Sequence, residues 1–289
     1  MMMGGMITLP AMDAIAKYLA TAEGVTAAQT VFFRFTVQAL LLGAVIVALR
    51  GPEGLRPRYL TVNLLRGAVM SVAVMMFFAA LKYMPLADAL AIFFTEPLIL
   101  TLMSAVLLGE RFGWRRLMAI LVGFGGAMLI IRPGFATFGG VALFPLVTAT
   151  LFALYLIITR KFAPDDDPVA MQFVSGLGGA MMVTAIMPLG TFAGVESFGT
   201  APLPTTAFPW FLLFLIGLIA AGGHLIVVYA FQRAPASLLA PFQYVEIISA
   251  VLFGWLIFSD FPDGPTWLGI AVIVASGLYI TWRESVRTD

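Results

Sequence analysis

Two stretches 150 residues apart share one spacing: Ala80-Leu-Lys-Tyr-Met-Pro85 with Glu96 eleven residues beyond, and Ala230-Phe-Gln-Arg-Ala-Pro235 with Glu246 eleven beyond. The correspondence runs on through Glu110 and Asp260, each just after a long apolar run. At an offset of 151 it continues through Leu117 with Leu268 and Gly126 with Gly277. That offset is about half of the 289 residues, so the chain reads as a duplication. The competing reading is coincidental matching between Leu-rich helices.

Composition says where such a duplicated unit lives. Hydrophobic residues make up 61% of the chain and charged residues 11%, with a mean hydropathy of +1.02. A soluble globular chain carries roughly 25% charged residues, and no water-soluble fold of this size buries so much apolar side chain. At about 20 apolar residues per bilayer crossing, the length provides for roughly ten spans, with no room for a separate soluble domain. Apolar runs and turn residues place helices near 6–22, 28–49, 61–83, 86–108, 114–131, 139–160, 169–193, 209–231, 237–258 and 265–282. The breaks fall at Arg50-Gly-Pro, Arg132-Pro-Gly, Ala163-Pro-Asp-Asp-Asp-Pro and Phe261-Pro-Asp-Gly-Pro, all of which disfavour continued helix. The first stretch contains Asp13 and Lys17 and lacks a basic leader or a cleavage site, and reads as a retained helix.

Five spans per copy is an odd number, so the second copy enters the bilayer from the opposite side. The expected fold is therefore an all-α polytopic membrane protein, ten transmembrane helices arranged as two inverted five-helix repeats, residues 1–135 and 136–289. Of the sixteen Lys and Arg residues, eleven collect on one side (Arg50, Arg56, Arg58, Arg111, Arg115, Arg116, Arg160, Lys161, Arg233, Arg283, Arg287) and three on the other (Lys17, Lys82, Arg132). Positive residues stay on the cytoplasmic side, which places both termini there.

Several functions are disfavoured. A net charge of +1 with no basic cluster argues against nucleic acid. There is no cysteine, a single histidine and no His-Glu-x-x-His, so no metal or cofactor site is expected. Ser175 and His224 form a Ser/His dyad only on paper, because Gly-x-Ser-x-Gly is missing. The run Asp165 to Asp167 reads as a solvated loop and helix cap rather than a calcium site. No ring of acidic residues suggests a channel.

Charged groups within spans are costly, so they point to function or to fixed pairing. Glu96 and Glu246 fall about ten and nine residues into their spans, roughly 15 Å deep. They suit substrate-amine recognition or proton coupling, or else fixed pairs near Pro97 and Pro241, the expected hinges. Arg34 and Gln38 lie one turn apart on the second span and could address one ligand. A guanidinium suits a carboxylate, although an ion pair of Arg34 with Glu96 or Glu246 is the competing reading. Arg66 reads as structural. Asp13 and Lys17, four apart, are placed to neutralise each other. His224 follows Gly222-Gly223 and reads first as a packing histidine, second as a proton relay. Gln243, Tyr244, Tyr155, Phe93, Phe94, Phe242 and Tyr229 offer polar and aromatic surface for a zwitterion with an apolar side chain. Small residues of the fifth and tenth spans are read as packing within the protomer rather than as a dimer face.

The five-plus-five organisation, the fourth-span ending Leu107-Leu-Gly-Glu-Arg111 and the Glu96-Pro97 pair resemble the EamA-type branch of the drug/metabolite transporter superfamily, over essentially the whole chain. The resemblance implies an inner-membrane secondary carrier, an exporter or exchanger working by alternating access around a cavity bounded by both repeats. Its partners would be a small-molecule substrate and the lipid bilayer. The first-span form Met12-Asp-Ala-Ile-Ala-Lys-Tyr18 is similar to bacterial amino-acid exporters, aromatic amino-acid exporters among them, and to S-adenosylmethionine carriers. Neutral or aromatic amino acids are the expected substrates.

Overall fold

A computed structural model describes residues 2–109, 114–131, 139–162, 166–233 and 245–288. Among these residues every regular element is helical. The α-helices are α1 (Met2–Ala22), α2 (Ala27–Arg50), α3 (Leu60–Leu81), α4 (Leu86–Phe93), α5 (Glu96–Leu108), α6 (Trp114–Ile131), α7 (Phe144–Phe162), α8 (Pro168–Phe192), α9 (Ala207–Arg233), α10 (Val245–Phe258) and α11 (Gly264–Thr288). Six segments are long and apolar enough to cross a bilayer: Ala27–Arg50, Leu60–Leu81, Leu86–Leu108, Gly139–Phe162, Pro168–Phe192 and Ala207–Ile226. The apolar parts of α6, α10 and α11 are shorter.

The helix ends follow from local sequence. Thr26 caps α2 through a reciprocal box with Gln29, each side chain accepting the other's backbone N–H at 3.1 Å. Asp167 caps α8 by accepting from Val169 and Ala170, and Asp166 accepts from the backbone of Arg58 and Tyr59 and from Asn63. The acidic run is thus a cap and clamp as expected, with Asp165 outside the described residues.

One expected span is not continuous. The fourth breaks at Phe94 and Thr95, where the Thr95 N–H turns back to Ile92 at 3.0 Å and α5 restarts with Glu96 and Pro97 at its first two positions. Proline has no N–H to offer the carbonyl four residues back, and its ring crowds that carbonyl. The interruption leaves Glu96 at the start of a half-helix, where the helix dipole favours a carboxylate. Glu246 lies on α10. Two boundaries also extend past expectation, α1 beginning at Met2 and α11 running to Thr288.

The extensive packing pairs are α3 with α7 and α8, α2 with α8 and α9, α6 with α11, α1 with α9 and α10, and α5 with α7. Glycines permit the closest of these. A side chain at Gly67 would overlap the Ser175 carbonyl, and one at Gly178 the Leu64 carbonyl, so α3 and α8 meet backbone to backbone. One hundred and fifty residues after Gly67, Gly217 brings α9 close onto α2, where a Cβ would overlap the Val37 side chain and lie 3.3 Å from the Arg34 carbonyl. Gly126 sits against the Gly269 carbonyl and Gly123 beside Ser276, so part of the small-residue stripe of α6 packs on α11, while Ala271 and Ala275 on α11 are exposed.

Two polar clusters tie helices together. Arg66 donates from Nε to Thr159 Oγ1 (2.6 Å), from Nη1 to Asn63 Oδ1 (2.7 Å) and from Nη2 to the Tyr155 hydroxyl (2.8 Å), with its guanidinium 4.6 Å from the Tyr155 ring centre. It is structural, as its position suggested. Lys17, by contrast, is paired not with Asp13 but with Asp260 beyond α10. It also donates to the Met84 carbonyl at 3.2 Å and lies 4.7 Å from the Phe258 ring centre. Charge spacing along a helix suggested the local partner; the tertiary packing of α1 against α10 provides a nearer one.

Candidate functional site

Between the helices lies a cavity of about 180 Å³, walled by α1, α2, α3, both halves of the broken span, α7, α9 and α10. Its ionisable residues are Asp13, Arg34, Glu96, His224 and Glu246, and its aromatic wall is Phe77, Phe78, Phe93, Phe94 and Phe152. Met6, Met12 and Met70 add pliable apolar surface. Phe93 is the hub of the aromatic wall, edge-on to Phe94 and Phe152 at 5.9 and 5.5 Å and tilted toward Phe77 at 5.9 Å.

Arg34 is 2% exposed, yet its Nε and Nη1 have no hydrogen-bond partner among the described residues. It stacks over Phe35, 4.5 Å from the ring centre. The ion pair with Glu96 or Glu246 that its position allowed is not formed. Its electrostatic neighbours are Asp13, Tyr155 and His224, and Asp13 in turn is a neighbour of Glu246. Oε1 of Glu96 is also buried without a hydrogen-bond partner among the described residues. His224 has Nδ1 3.0 Å from the Ala220 carbonyl. A carbonyl only accepts, so Nδ1 carries a proton in this contact.

The expected site is therefore assembled in part. Glu96, Glu246, Arg34, His224 and Phe93 come together on one cavity wall or another, and Pro97 stands at the break that shapes it. Gln38 does not join Arg34 at the cavity. Its Nε2 donates to the Gln172 carbonyl at 3.2 Å, fastening α2 to α8. Tyr155 is likewise diverted, its hydroxyl accepting from Arg66. Gln243, Tyr244 and the hinge candidate Pro241 lie outside the described residues. Ser175 belongs to the crossing of α3 and α8, where it donates to the Asn63 carbonyl at 3.2 Å, while His224 lines the cavity. Asp13 is the site residue sequence reasoning misassigned. A charge near the middle of an apolar span was the available signal, and the proximity of Lys17 masked it.

A helical bundle immersed in apolar surface and enclosing a small charged and aromatic cavity is the architecture of a membrane carrier. The sequence profile of the EamA-like transporter family matches residues 1–132 and 139–282, and the chain belongs to that family. Known relatives are transporters of different metabolites. The chain is 27% identical to a riboflavin transporter of Vibrio cholerae (96% of this chain, 90% of that one). It is 28% identical to an S-adenosylmethionine uptake transporter of Rickettsia conorii (96% and 90%). It is 26% identical to the pseudopaline exporter CntI of Pseudomonas aeruginosa (93% and 90%). A solved crystal structure shares the fold at a TM-score of 0.59 and 21% identity, covering 96% of both chains. The chain is a multi-pass membrane transporter of small metabolites.

Proposed function

We propose that the protein is a secondary carrier, an exporter or exchanger, of neutral or aromatic amino acids, working by alternating access around the described cavity in a bacterial inner membrane with both termini cytoplasmic. The observation that carries this reading is the cavity itself: an unpaired guanidinium and carboxylates on a wall of five phenylalanines. Its size favours a small guest. About 180 Å³ is closer to the roughly 150 Å³ that holds a benzene ring than to the 300–1,000 Å³ of pockets for drug-sized ligands. A single-ring amino acid suits that space better than a flavin does.

The inverted five-helix repeat supports the transport cycle. Exchanging each helix of the first half for its counterpart in the second turns the α3–α7 pairing into α9–α1, α3–α8 into α9–α2, and α5–α7 into α10–α1, all of which are present. Gly67 against Ser175 and Gly217 against Arg34 follow the same exchange, and the family profile matches in two segments of similar length. Two alike halves around one site can adopt two mirrored arrangements, each open to one side.

The test is counterflow in proteoliposomes, following labelled phenylalanine, threonine, S-adenosylmethionine and riboflavin in turn. Saturable exchange of phenylalanine or threonine is the expected result. Exchange confined to S-adenosylmethionine or riboflavin keeps the carrier and overturns the amino-acid assignment. No exchange of any probe overturns the reading as a whole.

A further inference from the structure

We infer that Arg34 selects substrates bearing a carboxylate and that the Asp13 and Glu246 side of the cavity receives an ammonium, so the guest is held by an α-amino-acid head group. This rests on the described cavity being the transport site.

The inference begins with two arginines buried alike and treated differently. Arg66 is 3% exposed and its donors are taken up by Thr159, Asn63 and Tyr155, which is how a structural arginine is kept in an apolar bundle. Arg34 is 2% exposed, and Nε and Nη1 are bonded to nothing among the described residues. The Phe35 ring covers the flat of the guanidinium, but a π face does not satisfy donors lying in the guanidinium plane. A guanidinium does not escape by losing its proton, and a buried unpaired cation is a net cost. Arg34 lines the cavity, so a guest bound there is the nearest source of an anion for a guanidinium whose Nε and Nη1 have no partner among the described residues.

Packing does not require an arginine at this position. The crossing of α9 on α2 at Gly217, beside Val37 and the Arg34 carbonyl, has its counterpart in Gly67 against Ser175, where a serine hydroxyl bonded to the Asn63 carbonyl is enough. The guanidinium is thus an asymmetric addition to a repeated joint. Asp13, Glu96 and Glu246 line the same cavity, and their carboxyl oxygens can accept from a guest's ammonium. Asp13, Arg34 and Glu246 line one cavity of about 180 Å³, so the two ends of a head group can be met within it, with the phenylalanine wall left for the side chain.

The experiment is competition against labelled phenylalanine counterflow by phenylalaninamide, which keeps the ammonium and lacks the carboxylate, and by 3-phenylpropionate, which has the reverse. In the native protein each should compete about tenfold or more weakly than phenylalanine, the difference one charge-assisted hydrogen-bonded contact makes. Arg34→Gln should lower phenylalanine to the level of phenylalaninamide while leaving phenylalaninamide unchanged, and Asp13→Asn should weaken phenylalaninamide but not phenylpropionate. If S-adenosylmethionine is the probe that exchanges, the same comparison is made with its decarboxylated form. Phenylalaninamide competing as well as phenylalanine in the native protein overturns the inference without any variant having to fold. So does an Arg34→Gln protein that loses both compounds equally. Riboflavin exchange with no response to any amino acid overturns the inference and leaves the carrier standing; absence of all exchange overturns both.

Discussion

Replacing Arg66 by alanine removes three short hydrogen bonds, to Thr159, Asn63 and Tyr155, between 2.6 and 2.8 Å, a longer one to Ser175 Oγ at 3.5 Å, and a cation stacked on the Tyr155 ring. The short bonds join α3 to α7, with Asn63 one turn away on α3 itself. Hydrogen bonds between helices in a bilayer average about 0.6 kcal/mol and reach about 1.7. Those with a charged donor lie at the upper end, which gives a loss of about 3 kcal/mol, or roughly a hundredfold in the folded-to-unfolded ratio. Arg34→Leu removes a guanidinium whose Nε and Nη1 hold no partner among the described residues. Replacing a buried cation that lacks full pairing by an apolar side chain of similar volume should cost less than about 1 kcal/mol, or stabilise. Both are read by titrating purified protein with SDS and following loss of the folded form. Arg66→Ala costing under about 1 kcal/mol, or Arg34→Leu costing as much as Arg66→Ala, would refute the assignment of one arginine to structure and the other to the substrate.

Gly67→Ala should destabilise by about 1–3 kcal/mol, because its Cβ meets a backbone carbonyl that cannot yield without moving α8. Gly222→Ala, with nothing within 4 Å, should be neutral or slightly stabilising; equal melting of the two variants would refute the backbone seam. Lys17→Met and Asp260→Asn should each lose stability, by about 1 kcal/mol or more for a part-buried pair. Their double variant should lose less than the sum, and an additive double-mutant cycle in SDS would show the ion pair to be idle. Exchange should depend on pH, and Glu96→Gln should flatten that dependence. An unchanged profile would remove Glu96 from proton coupling and leave Asp13, His224 and Glu246 as the titrating groups on the cavity wall.

Much of the fold was legible because a bilayer leaves few choices: apolar runs must be helices, and Pro-Gly and Asp-Pro clusters must be their ends. The break in the fourth span was half legible. Pro97 marked a weak point, but the apolar run from Leu86 to Leu108 hides where the chain turns, and only the restart at Glu96 shows that the carboxylate heads a half-helix. In the candidate site, Glu96, Glu246, Arg34 and His224 were legible from the cost of burying polar groups. Gln38 and Tyr155 were misplaced because helical spacing tells which residues share a face and not what that face meets. Gln38 meets the Gln172 carbonyl and Tyr155 meets Arg66. Lys17 was paired with its sequence neighbour for the same reason, when its partner stands 243 positions away. The glycine crossings were beyond reach of sequence, since 28 glycines look alike until a carbonyl is found against one.

The seams at Gly67 and Gly178 carry a consequence for descent. A scaffold whose tightest joints are made by main chain asks for nothing there but the lack of a side chain, and it asks nothing of the residues that face the interior. Cargo recognition and architecture are thus written in separate letters. A lineage can rewrite the wall of the cavity one substitution at a time, moving from one metabolite to another, while inheriting the same joints.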